Sequence, residues 1–372
     1  MEMELSPDQE LFAKTTRRFL ESQDLPADAR RLHEQGGGFD HDYWRRGAEL
    51  GWTAMLVPEA LGGGSISGHG LLDLTLVAEE MGRLIAPGPL LATNVVIEAL
   101  SCGGAGEHEK LIGRLLSGEA TATWAFDEGG DRWDAAGVRL TARSEGEGWL
   151  LDGTAAFVLD APSADVFLVS ARTAGGLTQF LVPATAAGVT VSPRTSLDLV
   201  RQIGDVTFTG ATASAVVGAV DQAADEVERQ LRTAIVLQNA ETAGALERVF
   251  AMTLAYSRDR VAFGRPIGSY QAIKHRFASL KMALEACQAT AGASARAVAE
   301  DLPNAAELVA VAKSFIADQA PAMVQDCVQI HGGIGVTWEH DLHLYLRRVT
   351  QNAMLFGGVR QHRERLAAQA GM

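Results

Sequence analysis

The chain has 372 residues, of which 47% are hydrophobic and 21% charged. That balance excludes a disordered, collagen-like or fibrous protein and leaves room for two or three packed units. A net charge of −14 argues against a broad nucleic-acid surface or an anionic-membrane anchor, while leaving space for a local basic patch that meets an anionic cofactor. Cys102, Cys287 and Cys327 are far apart and form no CxxC pair, and the acidic start MEMELSPDQE is unlike a secretion signal. No uncharged apolar run reaches the roughly 18 residues of a membrane span. A soluble cytoplasmic protein is expected, with no nucleic acid and no membrane span among its dealings.

In chain order, Ser6-Pro7-Asp8-Gln9 offers an N-cap, a proline at the first helical position and a capping-box glutamine. Leu11, Phe12 and Phe19 follow at helical spacing. Pro58 to Gly64 is a loop rich in breakers, and residues 71–85 form a second amphipathic helix. From about 119 to 220 the period changes: WLLDG, AAFVLD, DVFLVSAR, TQFLVPA, GVTVSPR and DVTFTG are short β-rich runs punctuated by Gly, Pro, Asp or Ser. They predict an antiparallel β-domain, a sandwich or small barrel. Long alanine-rich helices are expected near 225–258, 270–300 and 304–330, with Pro321 kinking or breaking the last. The expected organisation is α+β, with a helical domain over 1–118, a β-domain over 119–220 and a helical bundle over 221–372.

Two segments carry chemistry. In RDRVAFGRPIGSYQAIKHRFASL (258–280), Arg258, Arg260 and Arg265 gather at a glycine-containing turn before a new helix, with Lys274, His275 and Arg276 one turn further on. Guanidinium forks and helix-start N–H groups suit a phosphate or pyrophosphate, and the same residues also suit a plain helix hairpin with surface arginines. In VQIHGGIGVTWEHDLHLYLRR (328–348), Gly332, Gly333 and Gly335 allow close backbone approach to a ligand, and Gln329 and His331 offer hydrogen bonds. A helix C-cap followed by a turn explains the glycines equally well. His331, His340 and His343 lack the spacing of a metal site, so no metal is expected. Walker A, GxGxxG and GxSxG motifs are absent.

Together these segments resemble the acyl-CoA dehydrogenase family. RVAFGRPIGSYQAIKH is similar to its R-x-x-F-G-x-P-I…Q-x-x-K-H motif, QIHGGIG to its Q-x-x-G-G-x-G motif, and LGWTAMLVPEALGGG to its N-terminal L-G…P-E-x-x-G-G. The resemblance covers essentially the whole chain. It implies an acyl-CoA dehydrogenase-like fold with an N-terminal helical domain, a middle antiparallel β-domain and a C-terminal four-helix bundle. It also implies FAD at a subunit interface, where the neighbouring subunit's motifs hold pyrophosphate and adenosine. Carried over by position, the cofactor-binding residues are Arg260, Phe263, Tyr270, Gln271, Gln329, Gly332 and Gly333. The implied substrate is an acyl-CoA thioester, and the implied electron acceptor is an electron-transfer flavoprotein.

In the family a glutamate removes the α-proton while hydride leaves to the flavin, and the base must be held near the α-carbon with a raised pKa. Here the segment similar to the family's Y-E-G-T is Leu355-Phe356-Gly357-Gly358, with Phe356 at the glutamate's place. A second family branch places the base where this chain has Ala234. Glu228, Glu241 and Glu247 are nearby carboxylates. The T-E-P segment is matched by Phe126-Asp127-Glu128-Gly129, and the W-I-T segment by Phe157-Val158-Leu159, whose Leu159 has no hydroxyl. No catalytic residue is assigned. Residues that reach a neighbour's FAD are kept, and those that would serve the chain's own flavin and base are changed. The resemblance therefore implies a β-type, base-lacking subunit of an α2β2 heteromer, as in actinobacterial steroid side-chain degradation. The alternatives are a self-sufficient homo-oligomer with a relocated base such as Glu241 or Glu247, a desulfinase using Arg83, a flavin monooxygenase, or a scaffold without cofactor.

Overall fold

The computed structural model describes residues 5–126, 132–146 and 148–371. Helices α1 (Pro7–Glu21), α2 (Leu25–Glu34), α3 (His41–Glu49), α4 (Gly70–Leu84), α5 (Leu90–Cys102) and α6 (Ala105–Leu116) come first. Strands β1 (Ala122–Ala125), β2 (Thr141–Glu145), β3 (Gly148–Leu159), β4 (Val166–Arg172), β5 (Leu177–Pro183), β6 (Val189–Arg194), β7 (Ile203–Thr212) and β8 (Ala215–Val217) follow. Helix α7 (Ala224–Asp259), the short strands β9 (Val261–Ala262) and β10 (Arg265–Pro266), and helices α8 (Gln271–Ala299), α9 (Ala305–His331), α10 (Leu342–Met354) and α11 (Val359–Gln369) complete the chain. Two compact units result. One draws on Met1–Arg30, Thr75–Ala86 and Ile235–Met372, the other on Arg31–Leu74 and Pro87–Ala234.

The second unit holds the sheet. Its strand order is β6-β7-β3-β2-β4-β5-β8, with β1 beside β4. The runs WLLDG and AAFVLD, read separately in the sequence, join into the single strand β3. Register shifts at Leu151/Asp152 and Ala155/Val158 absorb the interruption. Gly153 (φ +126°) fits there because a Cβ would come within 2.9 Å of Leu140. Most pairings are antiparallel, as expected, but β1 and β2 each lie parallel to β4. The four residues of β1 are all buried, as in a strand covered on both faces, and its one polar side chain, Thr123, donates to Leu159 O. Leu151, Phe167, Phe180, Val182, Val206 and Phe208 form the centre of the core. In the same unit Asp40 caps α3, and Tyr43 and Trp44 pack against Trp52 at ring separations of 5.9 and 6.3 Å.

In the first unit the capping box at α1 forms as the sequence predicts: Ser6 Oγ accepts from the Gln9 amide at 3.2 Å, and Gln9 Oε1 accepts from the Ser6 amide at 3.0 Å. The buried face is Gln9, Thr16 and Leu20, whereas Leu11 points out at 64% exposure. Helix α9 is the axis against which α8, α10 and α11 pack, so the bundle gains a short helix beyond the four expected. Pro321 does not break α9, which runs unbroken from Ala305 to His331, its neighbours holding the turn where one N–H is missing. Where α4 meets α7, Gly82 faces the Glu241 carbonyl and Gly244 faces the Glu79 carbonyl. A Cβ on either glycine would lie 1.8 or 1.9 Å from the opposing oxygen. No helix among the described residues is long and apolar enough to cross a membrane.

Candidate functional site

The arginine-rich segment folds as a tight hairpin between α7 and α8. The Arg260 amide donates to Tyr256 O at 2.9 Å and the Ile267 amide to Arg260 O at 2.8 Å, which closes β9 onto β10. Phe263 (φ +53°) and Gly264 (φ +80°) form the tip. Positive φ at both central residues matches a two-residue hairpin turn, and a phenylalanine there costs about 1–2 kcal/mol of backbone strain. Phe263 is nevertheless 98% exposed. Its side chain gains nothing within the chain for that strain, the pattern of residues held ready for a ligand or partner. Tyr270 braces the hairpin: its hydroxyl donates to Ala262 O at 2.9 Å, and the Arg265 guanidinium lies 4.0 Å over its ring. Arg260 and Gln271 are exposed.

The glycine-rich segment begins where α9 ends. Gln329, Gly332 and Gly333 are exposed, and no atom lies within 4 Å of a Cβ built on Gly332 or Gly333. Gly335 differs, since a Cβ there would meet His331 Cβ at 2.9 Å and Val328 O at 3.0 Å; it is a packing glycine. His331, placed among the ligand donors by sequence, is instead buried. Its Nδ1–H donates to Cys327 O at 2.9 Å, and burial lowers its pKa so that the ring is neutral near pH 7. The Tyr256 ring stacks on it at 4.3 Å, and the Tyr256 hydroxyl donates to His331 O at 3.2 Å. Tyr256 thus ties the end of α7 to the end of α9, bringing the two motif segments into one frame. Sequence reasoning missed it; its place four residues before Arg260, one helical turn, is the signal that was available. Among the described residues no group of three His, Cys, Asp or Glu side chains is placed to hold a metal.

No free carboxylate stands at the places where the resemblance puts a base. Phe356 is buried in a left-handed conformation (φ +60°), and its carbonyl accepts from His362 Nε2–H at 3.0 Å. Ala234 is fully buried. The candidate glutamates are all engaged. Glu228 Oε1 accepts from the Ala135 amide at 2.8 Å. Glu241 Oε1 accepts from Arg348 at 2.7 Å and its Oε2 from Asn352 Nδ2 at 2.7 Å. Glu247 pairs with Arg83, which also lies 3.5 Å from Glu80. Arg83 is therefore not the unpaired cation that a sulfinate would need, and Glu241 is part of a buried network. That network runs on through Asn352, whose carbonyl accepts from Lys313, an ammonium that also reaches Gln238. Burial pulls Lys313 down to about 7 and His362 down to about 3.

In the β-sheet unit, Phe157 (φ +55°) lies beneath the Arg194 guanidinium at 4.3 Å, and Asp205 Oδ1 accepts from Arg194 at 2.7 Å. Val158 and Leu159 are buried. Asp127, Glu128 and Gly129 lie outside the described residues.

Three family models match in order: Acyl-CoA dehydrogenase, N-terminal domain over residues 6–119, middle domain over 123–211 and C-terminal domain over 227–371. Acyl-CoA dehydrogenase IpdE2 of Mycolicibacterium smegmatis is 32% identical over 369 residues, covering 98% of this chain and 99% of its own length. The ChsE4-ChsE5 complex from Mycobacterium tuberculosis matches with a TM-score of 0.89 at 28% identity, over 100% of this chain and 99% of the matched one. A chain of a variant of the Tcur3481-Tcur3483 steroid ACAD matches with a TM-score of 0.87 at 27% identity, over 98% of both chains.

Proposed function

Because this chain belongs to the acyl-CoA dehydrogenase family, we propose that it is the base-lacking subunit of a heteromeric, FAD-dependent acyl-CoA dehydrogenase. In this reading it completes a site whose flavin and catalytic glutamate belong mainly to a partner of the same fold. The observation that carries the reading is a contrast. The hairpin and glycine-rich segments are open and presented outward, with Phe263, Val261, Ile334, Val336 and Trp338 all exposed. At the base positions stand the buried apolar residues Phe356 and Ala234, and every nearby glutamate considered is bonded within the fold. Exposed apolar side chains around a cationic turn fit a protein partner that also brings a dinucleotide.

The residues suit FAD by their donor chemistry. Arg260 offers a guanidinium fork for the pyrophosphate, Gln271 and Gln329 offer carboxamides, and the open space over Gly332 and Gly333 lets a ligand reach the backbone. Phe263 and Tyr270 would pack against the adenosine. When bound, FAD supplies the two-electron acceptor for α,β-desaturation of an acyl-CoA thioester. This chain binds and orients it, and Leu159, with no hydroxyl, adds no hydrogen bond from its own β-domain. The kinship with steroid and two-subunit complexes supports a steroid-type acyl-CoA as substrate and a second dehydrogenase subunit as partner, with an electron-transfer flavoprotein as acceptor. Arg260→Ala is expected to weaken FAD retention by the complex, whereas Phe356→Ala leaves it; equal loss in both variants would contradict this division of labour.

A further inference from the structure

Tyr256 holds the backbone of both motif segments. At the end of α7 its carbonyl accepts from the Arg260 amide at 2.9 Å, which sets where the hairpin begins. Its hydroxyl donates to His331 O at 3.2 Å. That carbonyl shares one rigid peptide plane with the Gly332 N–H, which in turn meets Val328 O and Gln329 O at the end of α9. Both edges of the plane are therefore fixed, and from it Gly332 (φ +66°) turns the chain out of the helix. Between the two hydrogen bonds the Tyr256 and His331 rings stack at 4.3 Å with only 19° between their planes. His331 is buried, and the His340 ring meets it in an edge arrangement at 4.9 Å. Among the described residues His331 Nε2 has no hydrogen-bond partner, a cost that a phenylalanine in its place would avoid. What the imidazole adds is the Nδ1–H anchor on Cys327 O, which sets the ring angle that the stack uses.

We propose that Tyr256 is a positioning residue for FAD, one that locks the hairpin and the glycine-rich turn into a single preformed cradle through His331. The inference rests on the flavin reading above and adds a residue that acts through others. Tyr256 and His331 are 75 positions apart in the chain, and the residues they carry, Arg260, Gln329, Gly332 and Gly333, are exposed. Exposed segments that a ligand must first order lose affinity to that ordering. A shared anchor removes the cost for both segments at once, so they loosen together or not at all. Tyr270 braces the hairpin from its own side by bonding Ala262 O, whereas Tyr256 crosses to the glycine-rich segment.

The test pairs two measurements on Tyr256→Phe and Tyr256→Leu. In the complex with a glutamate-bearing partner subunit, FAD affinity is read by fluorescence titration of the flavin-stripped protein. Tyr256→Phe keeps the stack and loses the hydroxyl bond, so FAD should bind about threefold more weakly. Tyr256→Leu loses both, and the drop should be about tenfold or more. In the full-length chain alone, amide hydrogen exchange in Tyr256→Leu should quicken at 261–267 and at Gly332–Val336 together, with α1 and β3 unchanged. A merely structural tyrosine would quicken exchange throughout the bundle and lower Tm in both variants, whereas Tyr256→Phe should stay within about 2 °C of the parent. Faster exchange in one segment only, or an unchanged FAD affinity in Tyr256→Leu, would overturn the proposal. If Tyr256→Leu does not fold, Tyr256→Phe decides, and an FAD affinity equal to the parent's overturns it. A parent complex that binds no FAD would sink the flavin reading itself, and this inference with it.

Discussion

Replacing Glu241 by glutamine separates a structural carboxylate from a chemical one. Arg348 is 1% exposed as a side chain and Glu241 11%, and their charged atoms lie 2.7 Å apart. In Glu241→Gln the Arg348 guanidinium keeps its charge, loses its counter-charge and can meet the new amide NH2 as donor against donor. Removing one member of a buried pair costs about 3–5 kcal/mol, because the other charge stays buried without its partner. The loss should fall near the lower end, since the amide oxygen can still accept one hydrogen bond. At about 2.1 cal/mol/K of unfolding entropy per residue, that is a fall in Tm of roughly 4 °C for a chain of 372 residues. Arg348→Met leaves a carboxylate that protonation can neutralise. The double variant should be less unstable than the sum of the two by about 2 kcal/mol. Thermal unfolding followed by circular dichroism reads all three, and desaturase activity of the complex is measured beside it. If Glu241→Gln abolished activity while leaving Tm unchanged, Glu241 would be a reacting base and the reasoning would fail.

Two further predictions rest on the same unit. Gly82→Ala or Gly244→Ala forces a methyl to within 2 Å of a backbone oxygen of the facing helix, so each should cost about 2–3 kcal/mol in urea unfolding; a loss under about 0.5 kcal/mol would mean that α4 and α7 part easily. His362 is neutral when folded because burial holds it at about 3 instead of 6.5. The unfolded chain gains a proton below about pH 6.5 that the folded chain refuses until about pH 3. Stability from this group is therefore full above 6.5 and falls as pH drops through that window, by about 2–3 kcal/mol at pH 4.5. His362→Gln should lose about that much less between pH 7 and pH 4.5 than the parent chain; an identical acid response would refute the assignment.

Much of the fold is legible in the sequence because its signals are local. The Ser6 to Gln9 capping box needs four residues, and the i, i+3, i+4 stripes of α7 and α8 place those helices within a residue or two. Where non-local packing decides, the reading runs out. Gly153 ends one β-rich run in the sequence and proves to lie inside one long strand, paired opposite Phe208, because the partner β7 continues past it. Pro321 looks like a helix breaker, yet packing on both sides carries α9 through it. The motif residues are visible by type and spacing. The parts that hold them are not: nothing local marks Tyr256 as the brace between α7 and α9, or Lys313 and Arg348 as buried charges. The buried polar network that occupies Glu241 joins residues more than a hundred positions apart, and no periodicity announces that.

The central claim, that this chain serves a partner's flavin and lacks a complete site of its own, is tested most directly by counting FAD. The full-length chain is purified alone and together with a glutamate-bearing partner subunit, and bound FAD per polypeptide is read from visible absorbance. Well-folded chain with little or no flavin alone, and stoichiometric flavin in the complex, is the predicted result. Near-stoichiometric FAD in the chain by itself would contradict the account.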